Sequence, residues 1–272
     1  MSRQPIGVFD SGIGGLSVLQ ALQAALPLEH FVYLDDSLYA PYGERGDAHA
    51  IARSRAITLY LRQTHSIKAL VIACNTATMA AVARLRAEHP DLPIVGVEPG
   101  LKPAAAASQT KRVGVIGTRG TVTSAKFKAL QSSLYGQAEF IVQPCDGLAD
   151  AISRSVETQD DSKIIALCAD YTCAIGPFGL NPGEIDTLVL GCTHYVFAQE
   201  HLARLIGPQV RILSTGEPVA RRTQYLLEQA GTLNRTGPGR VQLVTTGEPA
   251  VLQSAARRWL GFATDDAVRW VT

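Results

Sequence analysis

Val71-Ile72-Ala73-Cys74-Asn75-Thr76-Ala77-Thr78 runs a short apolar stretch into a cysteine, then into small polar residues, then into a helix-like segment. Val189-Leu190-Gly191-Cys192-Thr193-His194-Tyr195-Val196 does the same. Strands of a parallel sheet are buried on both faces, so they read as continuous apolar runs followed by crossover helices. A second echo pairs Gly7-Val8-Phe9-Asp10-Ser11-Gly12 with Gly114-Val115-Ile116-Gly117-Thr118-Arg119, each an apolar run ending in a turn that carries a hydroxyl. The echoes recur at comparable separations, from position 7 to 114 and from 74 to 192, which predicts two similar half-structures.

Outward from these stretches the same alternation covers the chain. Strands are predicted at 6–9, 31–34, 69–73, 94–97, 113–116, 139–143, 187–190, 210–213 and 241–245, with helices at 16–25, 46–63, 76–88, 121–134, 162–167, 196–206 and 217–228. The expected fold class is α/β, with two similar domains, each a mainly parallel sheet flanked by helices. Pro99, Gly100 and Pro103 break the pattern once and Gly207-Pro208 breaks it again, which marks two candidate crossings between halves.

Composition narrows the class of function. A chain of 272 residues with 46% hydrophobic residues has ample material for a packed core. The 25 basic and 24 acidic residues nearly cancel, so no charge footprint argues for nucleic acid or an anionic membrane, and a small-molecule partner is expected. The first residues lead into an apolar run too short for a signal segment or membrane span, so a cytoplasmic protein is expected. An odd set of cysteines (Cys74, Cys145, Cys168, Cys173, Cys192) fits reduced thiols rather than a disulfide framework. Their spacing gives no zinc-finger pattern, and no metal is expected.

Both echoed cysteines stand at the carboxyl end of a strand, where open parallel sheets bind ligands. At a helix start, free N–H groups and the helix dipole are expected to favour the Cys74 thiolate below its ordinary pKa of about 8.5. Asn75, Thr76 and Thr78 supply donors near Cys74, while Thr193 and His194 surround Cys192. Racemisation removes a proton from one face of a carbon and delivers another to the opposite face, and two thiols serve both roles. Asp10 is placed to assist one thiol and His194 the other. Asp10-Ser11-Gly12-Ile13-Gly14-Gly15 fails both the dinucleotide and P-loop patterns and reads as a tight turn approaching a small anion. Pro41-Tyr42-Gly43 reads as a turn that closes over a substrate. No lysine (Lys68, Lys102, Lys111, Lys126, Lys128, Lys163) stands out as a Schiff-base partner for pyridoxal phosphate, so no cofactor is expected.

Taken in order, Phe9 to Val18, Pro41-Tyr42-Gly43, Ala73 to Thr78, Gly117-Thr118 with Thr121, and Gly191 to Tyr195 resemble the glutamate racemases of the aspartate/glutamate racemase superfamily, over nearly the whole chain. The resemblance implies a cofactor-independent isomerase that interconverts L- and D-glutamate and supplies D-glutamate for peptidoglycan and the cell wall. It implies Cys74 and Cys192 as the catalytic pair, Asp10 and His194 as their assistants, and Asp10, Ser11, Tyr42, Gly43, Asn75, Thr76, Thr193 and His194 at the substrate, joined by Thr118 and Thr121. It also implies an active site in the cleft between a domain of residues 1–98 plus 209–272 and a domain of residues 99–208, and self-association as a homodimer or a monomer–dimer equilibrium. Two departures stand out. A glutamate common after the Cys145 position is replaced by Ser153, with Asp150 one turn earlier, and a proline common after Tyr195 is Val196. Racemisation of aspartate, amino-acid binding without catalysis, and thiol hydrolase or transferase chemistry are the competing readings.

Overall fold

The structure, a computed structural model, describes residues 3–261 and 268–270. In chain order it runs β1 (Ile6–Asp10), α1 (Leu16–Ala25), β2 (Phe31–Asp35), α2 (Tyr42–Arg45), α3 (Asp47–His65), β3 (Ala69–Ile72), α4 (Asn75–Glu88), β4 (Ile94–Gly96), α5 (Leu101–Ala107) and β5 (Arg112–Gly117). It continues with α6 (Arg119–Val122), α7 (Ala125–Ser132), β6 (Glu139–Pro144), α8 (Leu148–Thr158), α9 (Ser162–Ile175), β7 (Thr187–Gly191), α10 (Gln199–Ile206) and β8 (Arg211–Leu213). Last come α11 (Gly216–Gln229), β9 (Val241–Thr245), α12 (Pro249–Leu260) and β10 (Val268–Arg269).

The chain divides into two α/β units, Met1–Val97 with Gly216–Thr272, and Glu98–Thr215. The first holds a sheet in the order β10-β9-β2-β1-β3-β4 and the second a sheet in the order β6-β5-β7-β8. Every pairing is parallel. The order β2-β1-β3-β4 is repeated in β6-β5-β7-β8, so the echoed cysteines follow equivalent strands, β3 and β7. All nine expected strands are present.

The second crossing is corrected. It falls at Thr215–Gly216 rather than after Pro208, because Arg211–Leu213 pairs with β7 and completes the second sheet. Gly207-Pro208 is only the turn from α10 into that strand, with Gly207 at φ 90°. The expected helix over 121–134 is two helices, because Ser124 caps a new start, its hydroxyl accepting the Phe127 N–H at 3.1 Å. The expected helix over 196–206 begins as a 3-10 turn, Thr193–Ala198, before α10. α9 runs on to Ile175, beyond the expected 167.

In the first unit the core lies between the sheet and α3 and α4, where Phe9, Leu34, Leu70, Ile72, Ile57, Leu61 and Leu85 are buried. The returning segment is fastened by a buried ion pair, Lys68 Nζ to Glu29 at 2.6 Å. Lys68 also donates to the Thr232 carbonyl at 2.8 Å, and Glu29 accepts the Asn234 N–H at 2.7 Å. In the second unit Val113, Val115, Val189, Phe127 and Leu101 form the core. Among the described residues no helix is long and apolar enough to cross a membrane.

A 3-10 turn, Ile13–Gly15, carries β1 directly into α1. A Cβ at Gly15 would lie 2.6 Å from the Asp10 Cβ and 2.9 Å from the Tyr33 hydroxyl, so only glycine lets the turn sit this close to the strand end. Gly15→Ala is expected to lower stability by about 1–3 kcal/mol through overpacking, read as a lower urea midpoint at unchanged slope.

Candidate active site

In the first unit three predicted residues meet at the end of β1 and β3. Asp10, the last residue of β1, is buried, and its carboxylate accepts the Ser11 N–H at 2.6 Å and the Ser11 hydroxyl at 3.2 Å. The same hydroxyl lies 3.4 Å from the Cys74 sulfur. Cys74 occupies the cap position of α4 and its sulfur accepts the Ala77 N–H at 3.4 Å. Asp10, Ser11 and Cys74 thus form one hydrogen-bonded chain.

The expectation of a depressed thiol pKa is reversed. Burial pushes the Cys74 thiol well above the usual range and the Asp10 charge adds to this, outweighing the hydrogen bonds from Ser11 and Ala77 that favour the thiolate. The helix start is present, but desolvation of a buried anion is the larger effect. Cys74 therefore rests as a thiol, with a carboxylate in reach through Ser11.

Asn75 opens α4 and is buried, and neither end of its amide has a partner among the described residues. An unpaired buried amide costs about 1–3 kcal/mol per group. Thr76 follows it in the same turn. Thr78, grouped with them from sequence, is structural, since its hydroxyl accepts the Val97 N–H at 3.0 Å and donates to the Ile72 carbonyl at 3.3 Å.

Tyr42 and Gly43 begin the short helix α2. The Tyr42 hydroxyl is spent inside the protein, donating to Asp36 at 2.5 Å. Asp36 also accepts from two Arg53 nitrogens, Nε and Nη2, each at 2.9 Å, and the Arg53 guanidinium lies over the Tyr39 ring at 3.5 Å. What α2 can offer a ligand is thus its backbone, with the Tyr42 ring as a wall. The anchoring pair Asp36 and Arg53 was missed from sequence; its one signal is a charged residue immediately after an apolar strand.

In the second unit Cys192 follows β7 and Thr193 and His194 are buried in the 3-10 turn after it. The Cys192 sulfur lies 3.8 Å from His194 Nδ1. Burial lowers the His194 pKa to about 4, so the imidazole is neutral near pH 7 and able to accept a proton. Tyr195 donates to the Cys145 carbonyl at 3.0 Å and fixes the turn. At the end of β5 the Thr118 hydroxyl donates to the Thr121 hydroxyl at 2.9 Å. Asp150 is exposed on α8 and paired with Arg154 at 3.0 Å, and Ser153 is half-buried. Among the described residues no group of three or more His, Cys, Asp or Glu side chains is placed to hold a metal.

Each unit thus carries, past equivalent strands, a buried thiol with a proton acceptor of its own. A sequence profile of the Asp/Glu/Hydantoin racemase family matches residues 6–223. The chain belongs to the Asp/Glu/Hydantoin racemase family. It is 43% identical over 251 residues to a protein of Herpetosiphon aurantiacus named glutamate racemase, covering 92% of this chain and 95% of that one. Its fold is similar to the glutamate racemase isoform RacE1 of Bacillus anthracis, with a TM-score of 0.85 at 29% identity, covering 100% of this chain and 98% of that one. It is also similar to the Escherichia coli glutamate racemase solved with L-glutamate and the activator UDP-MurNAc-Ala, with a TM-score of 0.85 at 28% identity over 98% of both chains. Membership makes the protein an amino-acid racemase, an isomerase.

His194 generates a pH prediction. Its folded pKa lies below the unfolded value of about 6.5, so its contribution to stability is complete above that value and is lost as pH falls toward 4. His194→Asn is expected to remove roughly 3 kcal/mol of the stability difference between pH 7 and pH 4, measured by denaturant titration at both pH values.

Proposed function

We propose that the protein is a glutamate racemase, interconverting L- and D-glutamate by proton transfer at the α-carbon without a cofactor. The observation that carries this reading is the repeated one: a buried thiol past equivalent strands, each beside a different proton acceptor, in a chain of this family. The choice of glutamate rests on the names of the relatives.

In this mechanism one thiol gives its proton to its neighbour and, as thiolate, takes the α-proton from one face of the substrate. The other thiol delivers a proton to the opposite face. Asp10, reached through Ser11, serves Cys74, and neutral His194 serves Cys192. For the mirror-image substrate the two thiols exchange roles. The unpaired Asn75 amide binds a charged group of the amino acid, together with Thr76, Thr193, Thr118, Thr121, Ser11 and the backbone at Tyr42-Gly43. The assignment extends to D-glutamate supply for peptidoglycan in the cytoplasm, and to a homodimer or monomer–dimer equilibrium in solution.

The test is incubation with L-glutamate and, separately, D-glutamate in D2O without added cofactor, following optical rotation and the α-proton signal. Decay of rotation from both enantiomers with deuterium entering the α-position is expected. Cys74→Ser and Cys192→Ser should each lower kcat by about 10²-fold or more. Reaction of aspartate in place of glutamate would keep the mechanism and overturn the substrate. Full activity in both variants would overturn the mechanism.

A further inference from the structure

β1 and β2 end side by side on two aspartates. Asp10 pairs in register with Asp35, and Asp35 with Thr245 of β9. Residues paired across parallel strands project to the same face, and the strands lie about 4.8 Å apart. Both carboxyls are buried, Asp10 at 1% and Asp35 at 2% exposure. One Asp35 oxygen accepts the Ser37 hydroxyl at 2.8 Å and the Thr245 hydroxyl at 2.7 Å, while the other, Oδ1, is buried with no partner among the described residues. Two carboxylates this close and this dry cannot both ionise cheaply.

Of the charges around Asp35, that of Asp36 also raises its proton affinity. α1, which follows the 3-10 turn after β1, carries no titratable side chain. Tyr33, two residues earlier on the same face, donates to the Gly12 carbonyl at 2.7 Å, and burial with the Asp10 and Asp35 charges holds it protonated. Asp36 is engaged by Arg53 and Tyr42, and Arg269 holds the next register position beyond Thr245.

We propose that Asp35 is a positioning residue for the Cys74 half of the reaction: its ionisation sets the proton affinity of Asp10. This rests on the racemase reading for the role of Cys74. When Asp35 loses its proton, the added charge strengthens Asp10 as acceptor. The Cys74 S–H bond then breaks, the proton passes to an Asp10 carboxylate oxygen through Ser11, and the thiolate remains. Burial pushes Asp35 up to about 6, which places this ionisation just below neutral pH. The chain would thus carry a charge that lowers stability and serves activity.

The sign follows by linkage. A carboxyl whose folded pKa exceeds the unfolded value of about 3.9 contributes stability that is complete below that value and is lost as pH rises through about 6. Asp35→Asn keeps the shape without the charge. At pH 8 it is expected to raise Tm by roughly 2–4 °C, with the gap closing between about pH 6 and pH 4. It should lower kcat/KM at pH 8 about tenfold, the effect of one pKa step on Asp10, and remove the inflection near pH 6 from the pH profile. In the free enzyme, 13C NMR of aspartate carboxyls should show one group titrating near pH 6 that is missing from the variant, with the Asp10 resonance titrating at lower pH there. A variant that melts no higher at pH 8, a wild type with no such resonance, or a slower variant whose pH profile keeps its shape would overturn the proposal. Absence of racemase activity in the wild type would instead sink the functional reading, while melting and NMR still report on Asp35 and Asp10.

Discussion

Parallel strand pairing is the constraint on which the rest of this structure depends. When every strand in a sheet runs the same way, all the carboxyl ends fall on one edge, and each chain reversal there must be a loop leading into a helix. The burial of both faces forces apolar strand interiors, so polar chemistry can appear only where a strand stops. Asp10, Asp35, Cys74, Thr118 and Cys192 all stand at or just past such an end. The repeated order of β2-β1-β3-β4 in β6-β5-β7-β8 then gives each unit the same set of positions to fill.

What fills them differs between the units, and the difference is electrostatic. The first unit sets its thiol beside a carboxylate and the second sets its thiol beside an imidazole held neutral by burial. A carboxylate near a buried thiol raises the thiol's proton affinity, which works against ionisation at rest. Around the first thiol the other charges are disciplined: Asp36 is neutralised by Arg53, and Glu29 is matched by Lys68 away from the strand ends. One buried oxygen of Asp35 has no hydrogen-bond partner among the described residues. Glycine at position 15 belongs to the same design, because it admits the turn that closes over Asp10 and Tyr33.

Much of the fold was legible because its signals are local. Apolar runs at Val71 and Val189, ended by polar residues, announce strands leading into helices, and nine strands follow from them. The cysteines, Asp10 and His194 were legible for the same reason, since each is adjacent to a strand end. The crossing near residue 215 was not, because a proline-glycine break looks the same whether it separates units or merely turns a helix into its own sheet's edge strand. The helix expected over 121–134 hid the cap at Ser124 within a continuous helical period.

The sequence by itself determined the α/β class, the repeat, and which side chains stand at the strand ends, because hydrophobic periodicity and turn chemistry act between near neighbours. Tertiary structure alone decided the state of those side chains. Burial reversed the expected ionisation of Cys74, Asp36 took the Tyr42 hydroxyl, and register set Asp35 beside Asp10. Desolvation and charge coupling depend on which distant segments close around a group, and no local pattern carries that information.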